Sequence, residues 1–198
     1  MKAYSVLLDQ ALCLSATAHK QQVRKGSEVP YVIHPVHAAM LLIRHNFPEE
    51  AVIAAVLHDV VEDTEVGLSE LEAKFGATVA RLVDQVSEVK RAGEKKLPWR
   101  QRKEEQLARL ENAEPMAAAV KTADALHNCH AMLNDLAVKG RELWKRFRGS
   151  AEEQLWYYTT LSALLKRRLP GHPLTDELAE AVAQLAEVQR QLALEQST

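Results

Sequence analysis

A chain of 198 residues with 25 Lys and Arg against 27 Asp and Glu has a formal net charge of -2, so no overall field draws it to nucleic acid or an anionic membrane. That length suits one compact domain with a substantial core. The two cysteines, Cys13 and Cys129, stand in no paired ligand spacing, which argues against a disulfide framework or zinc finger and for a reducing cytoplasm.

The first segment, MKAYSVLLDQALCLSATAHK, is interrupted by Asp9 and Gln10 and lacks the unbroken apolar centre of a secretory signal. It reads as a helix with Leu7, Leu8, Ala11, Leu12 and Ala18 as its buried stripe. No apolar run approaches the roughly 18 residues that suggest a membrane span. A soluble, cytoplasmic protein is expected. Glycine and proline are scarce, seven of each, and apolar residues recur at spacings of three and four rather than two. The pattern predicts an all-α fold.

After the first helix, Gly26 and Pro30 make KQQVRKGSEVP a loop. Helices are predicted from Pro35 to about Asn46 and from Pro48 to about Val61, each opening on a proline suited to a first turn. Glu49 and Glu50 complement the positive end of the latter. A short helix over 68–75 ends at Gly76, and another runs over 77–90 with Val79, Leu82, Val83 and Val86 inward. The basic segment RAGEKKLPWRQRKEE reads as a loop and the best candidate for a mobile flap. Further helices are expected over 103–112, 115–138, 150–168 and 175–195, the last with Thr175 as N-cap. Leu178, Val182, Leu185 and Leu192 give that last helix one apolar face. Covering the core is the ordinary use of such a face, and a homodimer seam is the alternative.

Chemistry gathers in AVIAAVLHDVVEDT, residues 51–64, where a core-like helix delivers His58, Asp59, Glu62 and Asp63 within six residues. Adjacent helical residues point about 100° apart, so His58 and Asp59 share an ion only beside the helix end. Glu62 falls on the same flank, three and four residues on, close enough to act on a water at that ion. Further donors must come from elsewhere. YVIHPVHAAMLL places His34 at a loop-to-helix junction, and VKTADALHN sets Asp124 in an apolar helix between Lys121 and Asn128. A lone histidine is more often structural than a ligand. Four donors in apolar contexts, where unpaired charge is costly, are better explained by a shared cation.

These residues resemble the HD-domain metal phosphohydrolases, and within them the hydrolase domain of RelA/SpoT proteins and the stand-alone small alarmone hydrolases. AHKQQVRKGSEVPYVIHPVHAAMLL, VLHDVVEDT, FGATVARLV and VKTADALHN resemble four blocks of that family, in its order, from about residue 16 to 130. The resemblance implies an HD-type bundle of roughly eight to ten helices. It implies one domain over 1–198, with a motif-bearing core of about 16–138 and helices over 150–195 completing the bundle. It makes His34, His58, Asp59 and Asp124 ligands of one Mn²⁺, Glu62 and Asp63 an acidic catalytic pair, and Arg24, Lys25 and Asn128 substrate contacts. The implied reaction releases pyrophosphate from the 3′ position of guanosine polyphosphates, leaving GDP or GTP. The alternatives are a phosphohydrolase of this scaffold acting on NADPH or a 5′-deoxynucleotide, and a non-catalytic nucleotide-binding module. The partner expected is a small nucleotide, with no nucleic acid or membrane. The chain also ends without room for the family's synthetase or regulatory domains, as a stand-alone hydrolase would.

Three departures from the family pattern bear on nucleotide choice. RKGSEVP is one residue longer than usual, VSEVK replaces a V-T-containing segment, and CHAMLNDLA matches loosely. His19, His45, His127, His130 and His172 lack a spacing that calls for a second metal, and His37 reads as structural or solvated. The run Lys95, Lys96, Arg100, Arg102 and Lys103 around Trp99 is nearly cancelled by Glu94, Glu104 and Glu105. It reads as a solvated connector, with a flap over a polyphosphate as its functional variant. Trp144, Trp156, Tyr157 and Tyr158 are expected to anchor helix packing.

Overall fold

The computed structural model describes residues 4–88, 91–92 and 95–194. The helices are α1 (Val6–Ala18), α2 (Ile33–Arg44), α3 (Glu49–Leu57), α4 (Val60–Asp63), α5 (Leu68–Phe75), α6 (Ala77–Val86), α7 (Trp99–Leu110), α8 (Pro115–Lys139), α9 (Ala151–Arg168) and α10 (Pro173–Leu194), with a 3-10 helix over Gly140–Arg146. The fold is helical, as the spacing of apolar residues predicts. Its one sheet among the described residues is a two-residue pairing of Arg91–Ala92 with Lys95–Lys96.

Helix α3 is the centre. Every residue from Ala51 to Leu57 is buried, because α1, α2, α6 and α8 pack around it. A segment of Ala, Val, Ile and Leu with no polar face has no other stable position. The long α8 lies against α2, α3, α6, α9 and α10, so its sequence is also apolar on more than one side. Leu178, Val182 and Leu185 of α10 are buried and Leu192 partly so. The apolar face of α10 is therefore taken up by the core.

Several boundaries differ from the sequence expectation. The helix expected over 48–61 divides into α3 and α4. The His58 imidazole explains the division: its Nδ1 meets the carbonyl of Ala55 at 2.7 Å, and that carbonyl would otherwise accept the N–H of Asp59. The helix expected over 77–90 ends at Val86, and residues 89–90 lie outside the described set. The expected flap is a helix from Trp99 onward, so 91–105 is not one continuous loop, and Glu94 lies outside the described residues. Its hydrophilic sequence hides the burial of Arg102. Helix α10 starts before Thr175, which is buried and donates its hydroxyl to the carbonyl of His172 at 2.7 Å rather than capping. Helix α9 opens as predicted, with Ser150 and Glu153 in a reciprocal capping box.

The loop between α1 and α2 is closed by backbone bonds from Arg24 to Val29 at 2.8 Å and from Tyr31 to Gln22 at 2.9 Å. Gly26 sits at its tip with φ +73°, and the Arg146 guanidinium of the 3-10 helix occupies the space a Cβ would need. The backbone angle favours glycine there, whereas a Cβ would displace only the flexible end of Arg146.

Leu57, fully buried at the end of α3, tests this arrangement. Leu57→Ala is expected to lower unfolding free energy by about 2–5 kcal/mol, read from the urea midpoint at unchanged slope.

Candidate functional site

Three elements bring the four expected donors to one point. His34 comes from the first turn of α2, His58 and Asp59 from the junction of α3 and α4, and Asp124 from the middle of α8. His34 Nε2 lies 3.1 Å from Asp124 Oδ1 and 3.7 Å from Asp59 Oδ2. His58 Nε2 lies 3.1 Å from Asp59 Oδ2 and 3.8 Å from Asp124 Oδ1. His34, His58 and Asp59 each present a donor atom within 4.8 Å of the others.

The partners of these groups leave their free atoms aimed inward. His58 Nδ1 donates to the Ala55 carbonyl, which fixes its tautomer and leaves Nε2 bare. That Nε2 is buried and has no aligned hydrogen-bond partner. His34 Nδ1 faces His127 Nδ1 at 2.7 Å. Burial, then the neighbouring His34 and Arg24, push His127 down to about 3, which keeps it a neutral hydrogen-bond partner for His34 Nδ1. Asp59 Oδ2 accepts the Tyr31 hydroxyl at 2.6 Å. Asp124 accepts Lys121 Nζ on Oδ2 and Asn128 Nδ2 on Oδ1, each at 2.6 Å. Lys121, Asp124 and Asn128 meet because they lie three and four residues apart on α8.

The electrostatics follow from burial against these partners. Desolvation alone would raise Asp124, but Lys121 and the two imidazoles hold its carboxyl well below the usual range. Desolvation alone would lower His58, but Asp59 and Asp124 outweigh it and raise its proton affinity. For His34 desolvation prevails and the shift is downward. A cluster of two imidazoles and two carboxylates, with one buried nitrogen unsatisfied, has the donor chemistry of a divalent-ion site. Donors at right angles around a small divalent ion stand about 3.0–3.4 Å apart, and the shorter contacts here fall in that range.

This cluster forms the floor of a cavity of about 740 Å³. Glu62 and Asp63 of α4 line it, as do Arg24, Lys25 and Asn128. Glu62 Oε1 accepts the backbone N–H of Glu88 at 2.6 Å. Arg24 Nη2 donates to Asn128 Oδ1 at 2.8 Å, and Lys25 Nζ stands 5.4 Å from the centre of the Phe147 ring. Eight of the nine site residues predicted from the sequence therefore line one space, and the ninth, His58, lies buried behind it with Nε2 3.1 Å from Asp59 Oδ2.

Sequence reasoning missed several others. His127 was set aside with the unassigned histidines, yet it touches His34. Its neighbour His37 packs against it at a tilt, ring centres 4.6 Å apart. Tyr31 lies within the quoted YVIHP block without being singled out. Arg102 and Lys103 were read as part of a solvated connector. They instead line the cavity and pair with the buried Glu88. Tyr157, expected as a packing anchor, donates its hydroxyl to Gln106 Oε1 at 2.7 Å and also lines the cavity.

Residues 11–151 match the family model described as HD domain. The chain belongs to the HD-domain family. That domain is a metal-dependent phosphohydrolase fold. The guanosine-3′,5′-bis(diphosphate) 3′-pyrophosphohydrolase MESH1 of Mus musculus is 35% identical over 190 residues, 94% of this chain and 97% of the mouse protein. The Homo sapiens MESH1 is 38% identical over 151 residues, covering 75% of this chain and 79% of its own length. The bifunctional (p)ppGpp synthase/hydrolase SpoT of Escherichia coli K12 is 34% identical over 182 residues, 87% of this HD-domain chain but 23% of SpoT. A solved structure described as a metazoan ortholog of SpoT that hydrolyzes ppGpp superposes with a TM-score of 0.72 at 28% identity, covering 93% of this chain and 98% of its own. The HD-domain match ends near the start of α9, so the cavity wall of Gln154, Tyr157, Tyr158 and Leu161 lies beyond it.

The contact between His127 and His34 gives an expectation for metal affinity. His127→Phe removes the hydrogen-bond partner that orients His34 and is expected to weaken divalent-ion binding about 10–100-fold. Competition with a chelating dye reads this directly, at a melting temperature close to that of the parent chain.

Proposed function

We propose that this HD-domain chain hydrolyses the 3′-diphosphate of guanosine 3′,5′-bis(diphosphate)-type nucleotides, releasing diphosphate and leaving GDP or GTP. The observation that carries the reading is the convergence of His34, His58, Asp59 and Asp124 beneath a cavity that also holds Glu62 and Asp63. Relatives of similar length carry that activity in their names. In this reading the four donors hold one Mn²⁺, since two imidazoles and two carboxylates without a thiolate suit that ion. Such an ion would polarise a phosphoryl oxygen and lower the pKa of a coordinated water.

The chain's own residues supply the rest. Water attacks the phosphorus joined to the 3′ oxygen, that P–O bond breaks, and the 3′ oxygen takes a proton. Glu62 and Asp63 share these transfers, one accepting the proton of the water and the other serving the departing oxygen. The Glu88 N–H fixes Glu62 for this task. Tyr31 steadies Asp59, and Lys121 with Asn128 steadies Asp124. Arg24, Lys25 and Asn128 contact the nucleotide: Arg24 is anchored by Asn128, and the aromatic rings of Tyr31 and Phe147 lie beside the two cations. A guanidinium there can stack on a base or fork onto phosphate, while the ammonium acts as a compact charge. We also place the protein in the cytoplasm, as one HD-type domain. No helix among the described residues is long and apolar enough to cross a membrane.

Purified chain with Mn²⁺ is expected to release diphosphate from guanosine 3′,5′-bis(diphosphate). Glu62→Gln should lower turnover about 10²–10⁴-fold without displacing the ion. Orthophosphate from NADPH or a 5′-deoxynucleotide, with no diphosphate from the guanosine substrate, would sink the reading. Equal and negligible turnover by parent and Asp59→Ala across all these nucleotides would favour a binding module.

A further inference from the structure

Glu88 follows α6 and is buried among cations. Its Oε1 accepts from Arg102 Nη1 and its Oε2 from Lys103 Nζ. The carboxylate is 5% exposed, Arg102 8% and Lys103 18%. Desolvation alone would raise Glu88, yet Lys103, Arg102 and the nearby Lys121 hold it below the usual carboxylate range. Among the described residues, one carboxylate thus faces two full positive charges. Lys121, the third cation nearby, is already committed to Asp124.

An excess of buried positive charge is costly where only packing is at stake. Arg102 and Lys103 also project from α7 into the cavity rather than into the core beneath it. Arg102 Nε is buried without a hydrogen-bond partner, so the guanidinium has donor capacity that Glu88 leaves unused. The backbone N–H of Glu88 binds Glu62, which puts the cation pair beside the acidic pair. A guanidinium and an ammonium lining the same cavity as the reacting groups match a diphosphate, which offers several anionic oxygens to a fork and a point charge together.

We infer that Arg102 and Lys103 form the subsite for the diphosphate group of the substrate, and that Glu88 is its resident competing anion. This inference rests on the hydrolase reading above. When diphosphate enters, its oxygens replace the Glu88 carboxylate on the two cations. When it leaves, Glu88 returns to them, which limits product affinity and spares the free protein an uncompensated buried charge.

Inorganic diphosphate is the probe, titrated calorimetrically into the full chain with Mn²⁺ present and again with the metal chelated. Glu88→Gln is expected to bind it about tenfold more tightly in both conditions, and Lys103→Gln about tenfold more weakly. With nucleotide, Glu88→Gln should lower KM and increase inhibition by diphosphate. A purely structural ion pair would do the reverse, since losing Glu88 would disorder the cations. Equal or weaker diphosphate binding by Glu88→Gln overturns the inference, as does unchanged binding by Lys103→Gln. Should Glu88→Gln fail to fold, Lys103→Gln decides, because that side chain sits at the cavity edge. Shifted diphosphate affinities without guanosine nucleotide turnover would sink the hydrolase reading alone. Turnover with unshifted affinities would sink this inference alone.

Discussion

Burying two imidazoles and two carboxylates against an apolar core is costly unless each atom has a partner, and the fold is organised around meeting that requirement. His34 reaches His127, His58 reaches a carbonyl of its own helix, Asp59 reaches Tyr31, and Asp124 reaches Lys121 and Asn128. Each of these bonds consumes the outward side of a donor and leaves the inward side for a shared point. Helix α3 must be buried on every side for His58 to arrive there. The apolar neighbours of α3 therefore set the geometry of the cluster.

The division of α3 from α4 shows local chemistry acting on the same scale as packing. By taking the Ala55 carbonyl, the His58 ring ends one helix and lets the chain restart at Val60. The restart carries Glu62 and Asp63 onto the cavity wall. A longer uninterrupted helix would keep the donors and the acidic pair at fixed 100° increments. The slip at residues 58–59 frees them from that constraint.

Legibility in the sequence followed the strength of local signals. Apolar periodicity exposed the helices, and short blocks such as VLHDVVEDT and VKTADALHN exposed the donors, because ligand chemistry needs particular side chains at fixed separations. The charged segment after residue 90 misled for the opposite reason. Arg102 looks solvated by composition, and only the carboxylate of Glu88, brought in from another element, lets it be buried. His127 was hidden by periodicity: its role depends on α2 lying against α8, a tertiary fact. Thr175 was misread as a cap because an N-cap residue and a buried threonine bonded to a preceding carbonyl share one residue type.

The loop that carries Arg24 and Lys25 is shaped as much by the 3-10 helix as by its own residues, since the guanidinium of Arg146 rests where any side chain at Gly26 would have to go. The two segments therefore touch, although they lie far apart in the sequence. A side chain at Gly26 would displace the guanidinium of Arg146. The shape of the RKGSEVP loop is then best understood alongside the segment that leans on it.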